Sequence, residues 1–179
     1  MTGTPALTAV VSLLVVLLLM LAESRLSARN ERRLRARGAI EPDGDVYATM
    51  RWAYPAAFVV MACEGAFFGP APGLATVAGA LGTIASKALK YWAVASLGPR
   101  WTFRILVVPG EPLVGHGPYA YVRHPNYVAV FGELASMALL VGARLTGPVA
   151  TMLFTLLLIR RIRVEDQILR HLTCSKAGG

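Results

Sequence analysis

The chain has 179 residues, of which 55% are hydrophobic, and its mean hydropathy is strongly positive. This composition is typical of a membrane protein and excludes an ordinary water-soluble core. The formal net charge of +8 at pH 7 comes from clustered basic residues, which report the orientation of membrane segments and do not favour nucleic-acid binding. The two cysteines, Cys63 and Cys174, have no paired ligand spacing, so neither a disulfide framework nor a metal site is expected.

The first apolar segment, residues 5–22, carries almost no charge and approaches the roughly 20 residues that a helix needs to span a bilayer. Its positive charges follow it, which indicates a membrane helix with its N-terminus outside and argues against a cleaved signal peptide. The arginine-rich segment after it predicts a helix that lies at the membrane surface, contacts anionic lipid head groups and ends near Gly38. Its arginines are Arg25, Arg29, Arg32, Arg33, Arg35 and Arg37.

Two further apolar segments, residues 52–68 and Leu74–Leu97, are long enough to be membrane helices. Glu64 lies within the first of them, where an acid either is functional or lies close enough to the helix end to reach the interface. Lys87 and Lys90 fall in the last third of the second helix and are predicted to extend toward the interface. Small side chains in this second helix favour close packing against another helix. They are Ala75, Ala78, Gly79, Ala80, Gly82, Ala85 and Ser86.

Residues 128–141 and 148–159 are apolar but short, and residues 142–147 between them are typical of a turn. They predict an antiparallel helical hairpin in a tilted or locally thinned membrane setting. Glu133, near the start of this hairpin, either faces a substrate cavity or pairs with a neighbouring Lys or Arg.

A polar and aromatic stretch rich in Gly and Pro, residues 113–127, lies between the apolar segments. Non-helical backbone at membrane depth is covered by protein or lines a water-filled cavity, so this stretch predicts the edge of a cavity. Pro125 suits the first turn of the helix that follows, and it favours extended geometry at His124. Arg123 and His124 then lie at the positive end of that helix, where an anionic group of a small ligand is favoured.

The stretch resembles the signature of a known family. Gly117-Pro118-Tyr119 followed by Arg123-His124-Pro125-Asn126-Tyr127 closely resembles the motif of the isoprenylcysteine carboxyl methyltransferases, which are integral membrane enzymes that use S-adenosylmethionine. The pattern Arg161-x-x-x-Glu165-Asp166-x-x-Leu169 resembles the second motif of that family, although the second acid there is usually Glu. Without the resemblance, the same pattern is typical of a solvated amphipathic helix with an ion pair.

The resemblance implies a role for each matching residue. Arg161 is implied to face the methyl acceptor, and Glu165 to hold the cofactor through its amino group. The implied acceptor is the carboxylate or hydroxyl oxygen of a lipophilic molecule, prenylcysteine-like or polyketide-like, which enters from the membrane. The implied cofactor contacts are Leu113, Val114, Tyr119, His124, Pro125, Asn126, Tyr127 and Glu165.

The chain is therefore expected to be a single all-α membrane domain, residues 1–179, with about five transmembrane helices. The alternation of basic loops places the N-terminus outside, and the C-terminus and the cofactor pocket on the cytoplasmic side. The resemblance is strongest over residues 98–169. Within it, residues 100–108 predict a short strand or extended interfacial segment that directs Arg104 toward the cavity.

Two other interpretations stay open at this stage. One is a sterol-reductase-like enzyme, which shares the layout of helices and motif but uses NADPH. The other is a membrane protein without catalysis and with a degenerate pocket. Relatives continue beyond the second motif with a polar and aromatic stretch, whereas residues 170–179 here are short and polar, so a less closed pocket is expected.

Overall fold

The computed structural model describes residues 3–69 and 73–174, which form five α-helices and contain no β-strand. The expected all-α fold is therefore confirmed for these residues. Two short 3-10 turns, Gly98–Arg100 and Gly117–Ala120, lie between the third and fourth helices. The helices are α1 (Gly3–Ala36), α2 (Tyr47–Phe68), α3 (Leu74–Leu97), α4 (Pro125–Val141) and α5 (Thr146–Cys174).

Among the described helices, one is long and apolar enough to cross a membrane, and it is the part of α1 that covers Ala6–Ala36. Helix α4 is apolar but shorter. Helices α2 and α3 carry charged residues within their length, namely Arg51, Glu64, Lys87 and Lys90. A membrane span is thus supported for α1, and the expected total of about five spans stays a prediction.

The arginine-rich segment continues α1 without a break, so the prediction of a separate surface helix is wrong. Its inner face is formed by Glu23, Ser27, Asn30 and Leu34, which are buried and follow a spacing of three and four residues. The arginines occupy the other faces. This inner face therefore packs against protein.

The small residues of α3 pack directly against α4, as predicted. A Cβ added at Gly79 would lie 2.4 Å from the backbone nitrogen of Leu140. A Cβ at Gly132 of α4 would lie 2.3 Å from the Ser86 hydroxyl. The two backbones therefore approach as closely as residues without side chains allow.

The predicted hairpin of α4 and α5 is also confirmed. Gly142 ends α4 in the left-handed conformation, with φ 76° and ψ 30°, which glycine adopts without a steric penalty. The carboxylate of Glu64 accepts hydrogen bonds from the backbone N–H groups of Leu145 and Thr146 at 2.9 and 2.7 Å. Glu64 thus caps α5, which is a structural role.

A buried network of charges joins four helices. Lys90 lies 2.7 Å from Glu23 and 3.5 Å from Glu133, and Lys87 lies 3.2 and 3.1 Å from the same two acids. The hydroxyl of Tyr54 donates to Glu133. Because Lys87 and Lys90 are only 8% and 1% exposed, the prediction that they extend to the interface is wrong. Glu133 pairs with lysines, as one of its two interpretations proposed.

The segment after α3 is extended and forms one isolated antiparallel bridge, between Ile40 and Val107. The side chain of Asn30 donates to the carbonyl of Trp101 at 2.8 Å, and the Ser27 hydroxyl accepts from the N–H of Phe103 at 2.8 Å. Helix α1 therefore holds the extended segment in place, at the end of the bundle where the polar stretch lies.

Candidate functional site

A cavity of about 360 Å³ lies at the end of the bundle where α1, α3 and α5 end and α4 begins. Pro125 is not on its wall, because this residue is buried in the first turn of α4. Arg104 lies on the wall, as predicted. The other predicted site residues all line the cavity: Leu113, Val114, Tyr119, His124, Asn126, Tyr127, Arg161 and Glu165.

The start of α4 places the histidine. Pro125 is the first residue of α4, and His124 before it has φ −127° and ψ 63°, which is non-helical but less extended than predicted. The imidazole stacks on the ring of Tyr127, with centroids 5.5 Å apart. Its Nε2 lies 3.2 Å from Asp166 Oδ1 and its Nδ1 lies 3.7 Å from Glu165 Oε2.

Tyr127 connects the two motifs. Its hydroxyl donates to Glu165 Oε2 at 2.6 Å and accepts from Arg161 Nε at 3.0 Å. The hydroxyl uses its donor and an acceptor site at once, so the three side chains have a fixed arrangement. A residue of α4 thereby sets the positions of two residues of α5.

Arg161 is only 5% exposed, and its guanidinium meets several groups. Nη2 donates to the carbonyl of Phe103 and lies 3.5 Å from Asp45 Oδ2. Nη1 has Met50 Sδ as its partner at 3.7 Å, and a thioether is a weak acceptor. Among the described residues, Nη1 is therefore the nitrogen of this guanidinium that has no oxygen atom as its hydrogen-bond partner. Asp45 is missing from the sequence prediction, because no spacing connects this loop residue with Arg161.

The carboxylates of α5 change the expected charge of the site. Glu165 and Asp166 face the N-terminus of α4, and Arg123 lies 3.6 Å from Asp166. The positive end of the helix, which was expected to favour an anionic ligand, already faces two acids of the chain itself. This corner of the cavity consequently favours a positively charged group.

Arg104 of the cavity lining is paired with acids of the chain. Arg104 lies 2.6 Å from Glu41 and 3.6 Å from Glu31. Partial burial raises the pKa of Glu41, but the hydrogen bonds from Arg35 and Arg104 outweigh it and hold this pKa below its usual value.

Burial, with the nearby charge of Glu165, raises the pKa of the Tyr119 phenol. The hydroxyl of Tyr119 therefore stays protonated at neutral pH.

The fold and the site define a helical protein with an apolar helix able to cross a membrane and a polar cavity at one end of its bundle. The sequence profile of the isoprenylcysteine carboxyl methyltransferase (ICMT) family matches residues 78–171, and the chain belongs to this family. The resemblance of the two motifs is thus confirmed. Membership of this family indicates a membrane-associated methyltransferase.

Two bacterial proteins that are similar to this chain are uncharacterized. The uncharacterized protein YpbQ of Bacillus subtilis is 33% identical over 150 residues, which cover 84% of this chain and 89% of that protein. An uncharacterized protein of Haemophilus influenzae is 26% identical over 148 residues, which cover 82% of this chain and 86% of that protein. No solved structure matches the chain.

The second motif is followed by further helical residues. Helix α5 extends to Cys174, so the end of the second motif lies within a helix. Residues 175–179 lie outside the described part of the chain, and the prediction of a less closed pocket stays a prediction.

Proposed function

We propose that the protein transfers a methyl group from S-adenosylmethionine to a carboxylate or hydroxyl oxygen of a lipophilic acceptor. The observation that carries this proposal is the Tyr127 hydroxyl, which joins Glu165 and Arg161 across two helices on one cavity wall. Glu165 is proposed to hold the cofactor, and Arg161 is proposed to face the methyl acceptor. The cofactor and the acceptor thus meet at one point of the cavity, as a direct transfer requires.

The residues of the cavity fit S-adenosylmethionine. Glu165 and Asp166 suit its positively charged groups. Asn126 Oδ1 and Trp101 Nε1 are buried without a hydrogen-bond partner in the described part of the chain, and buried polar atoms without a partner are rare in proteins. One acceptor and one donor at this wall are therefore open to a ligand. The volume of about 360 Å³ lies within the range of small-molecule sites.

When bound, S-adenosylmethionine supplies a methyl group on a sulfonium, which is already a good leaving group. The protein then has to align the acceptor oxygen and exclude water. Arg161, whose side chain lines the cavity, holds this oxygen and stabilises its negative charge by a charge-assisted hydrogen bond. A carboxylate is ionised at neutral pH, whereas a phenol or enol first releases its proton to water and then reacts as the anion that Arg161 stabilises.

The acceptor is lipophilic in this proposal because the cavity lining also carries apolar side chains, including Leu34, Ile105 and Leu169. In this proposal the protein crosses the membrane several times, and membrane lipids surround its helical bundle. The cavity faces the cytoplasm, where the cofactor is made. The arginine clusters at the cavity end of α1 and α5 support this orientation.

Thermal unfolding of the detergent-purified protein separates this proposal from the alternatives. We expect S-adenosylhomocysteine, the product of the cofactor, to stabilise the protein by about 2.7 kcal/mol when its concentration is about 100 times the dissociation constant. NADPH is expected to produce no shift. Stabilisation by NADPH alone would favour a reductase, and no shift with either molecule would favour a protein without catalysis.

A further inference from the structure

The loop before α2 carries a buried acid, Asp45, that belongs to neither of the two sequence motifs. Asp45 lies two residues before α2 begins, and its side chain is only 6% exposed. Its Oδ1 accepts from the N–H of Tyr47 at 3.1 Å, and its Oδ2 accepts from the N–H of Ile105 at 3.4 Å. These two backbone contacts fix the carboxylate between α2 and the extended segment.

The same carboxylate faces the guanidinium of Arg161. Oδ2 of Asp45 lies 3.5 Å from Nη2, and both side chains are 6% exposed. A buried guanidinium that loses its charge partner is strongly destabilised. Glu165 does not replace Asp45 in this role, because Glu165 meets Arg161 through the hydroxyl of Tyr127.

Three contacts fix the orientation of this guanidinium. Nε donates to Tyr127, while Nη2 meets both the carbonyl of Phe103 and Asp45. The ring of Tyr47 lies 5.8 Å from the guanidinium carbon. Because the guanidinium is a rigid planar fork, fixing Nε and Nη2 also fixes the direction of Nη1.

We infer that Asp45 is a positioning residue, which holds the guanidinium of Arg161 in the orientation in which it meets the methyl acceptor. This inference rests on the proposed function of Arg161. It assigns a role in the reaction to the loop between α1 and α2, which is distant in sequence from both motifs.

The test compares Asp45→Asn with Asp43→Asn, a matched control at an exposed position of the same loop. Transfer of labelled methyl from S-adenosylmethionine to N-acetyl-S-farnesylcysteine is measured in proteoliposomes, and S-adenosylhomocysteine affinity by titration. We expect Asp45→Asn to lower kcat/KM by about 10- to 100-fold, as for a misplaced catalytic group, with unchanged S-adenosylhomocysteine affinity. Asp45→Glu should recover part of the rate, and Asp43→Asn should match the wild type.

A double-mutant cycle distinguishes positioning from a general structural role. If Asp45 acts through Arg161, Asp45→Asn lowers the rate no further in an Arg161→Gln background. Equal losses in both backgrounds, or a loss of S-adenosylhomocysteine binding together with the rate, would overturn the inference. Failure of the proposed function looks different, because the wild type would then bind no S-adenosylhomocysteine.

A second measurement needs no acceptor and decides the matter if the farnesylated compound is not methylated. The ¹⁵N resonances of the Arg161 guanidinium are identified by their absence in Arg161→Lys. We expect slow rotation about the Cζ–N bonds in the wild type and in Asp43→Asn, and faster rotation in Asp45→Asn. Identical rotation rates in all three proteins would contradict the positioning role.

Discussion

Replacing Glu165 by Gln and replacing His124 by Ala are each expected to abolish binding of S-adenosylhomocysteine without unfolding the protein. Glu165 is the acid that Tyr127 joins to Arg161, and its Oε2 lies 3.7 Å from His124 Nδ1. Removing a charged hydrogen-bond partner costs about 1.5–3 kcal/mol, or roughly 10- to 100-fold in affinity. The loss should exceed this range, because each replacement also disturbs its neighbours in the group.

Isothermal titration in detergent measures both affinities. His116→Ala is the matched control for the histidine, because His116 is exposed in the same polar stretch and does not line the cavity. Asp43→Asn is the control for the acid. If Glu165→Gln and His124→Ala bind S-adenosylhomocysteine as tightly as these controls do, the cofactor assignment is wrong.

The largest expected effect on stability comes from the buried charge network. Lys90→Met leaves Glu23 and Glu133 with Lys87 as their remaining lysine. Breaking a buried pair by removing one partner costs about 3–5 kcal/mol. We therefore expect Lys90→Met to lower the free energy of unfolding by this amount, measured by denaturation in mixed micelles.

Arg163→Met is the control for this prediction, because Arg163 is exposed on α5. A surface substitution of this kind usually changes stability by less than about 0.5 kcal/mol. Equal stability of Lys90→Met and Arg163→Met would show that the ion pairs contribute nothing to the fold. Replacing Lys90 and Glu23 together by apolar residues should cost less than Lys90→Met alone, since no acid then lacks its partner.

The elements that the sequence predicted well have strong local signals. Helix α3 has the predicted bounds, Leu74–Leu97, because turn-forming residues flank it on both sides. Helix α4 begins at Pro125 as expected, since proline is favoured in the first turn and disfavours helix at the residue before it. The turn at Gly142 follows from the same kind of local chemistry.

The errors concern contacts between helices. Lys87 and Lys90 have long side chains near a helix end, so the sequence alone favours the interface. Only the register of α1 and α4 against α3 brings Glu23 and Glu133 to them. The sequence alone also favours the membrane surface for the arginine-rich segment. Its buried face is apparent only in the structure, where the extended segment packs on it.

The candidate site was predictable because of its resemblance to a family, and the spacing of residues would not have revealed it. Tyr127 and Glu165 are far apart in sequence, and no periodicity connects them. Folding brings them to 2.6 Å. Asp45 had no such motif, and its proximity to Arg161 at 3.5 Å emerges only from the three-dimensional arrangement.

The central claim is that residues of both motifs hold one cofactor in one cavity. Irradiation of the purified protein with tritiated S-adenosylmethionine, followed by peptide mapping, tests it most directly. We predict label on peptides that contain residues 113–127 and 161–169, and loss of that label when unlabelled S-adenosylhomocysteine is added. Label confined to other helices, or label that excess S-adenosylhomocysteine does not displace, would contradict the account.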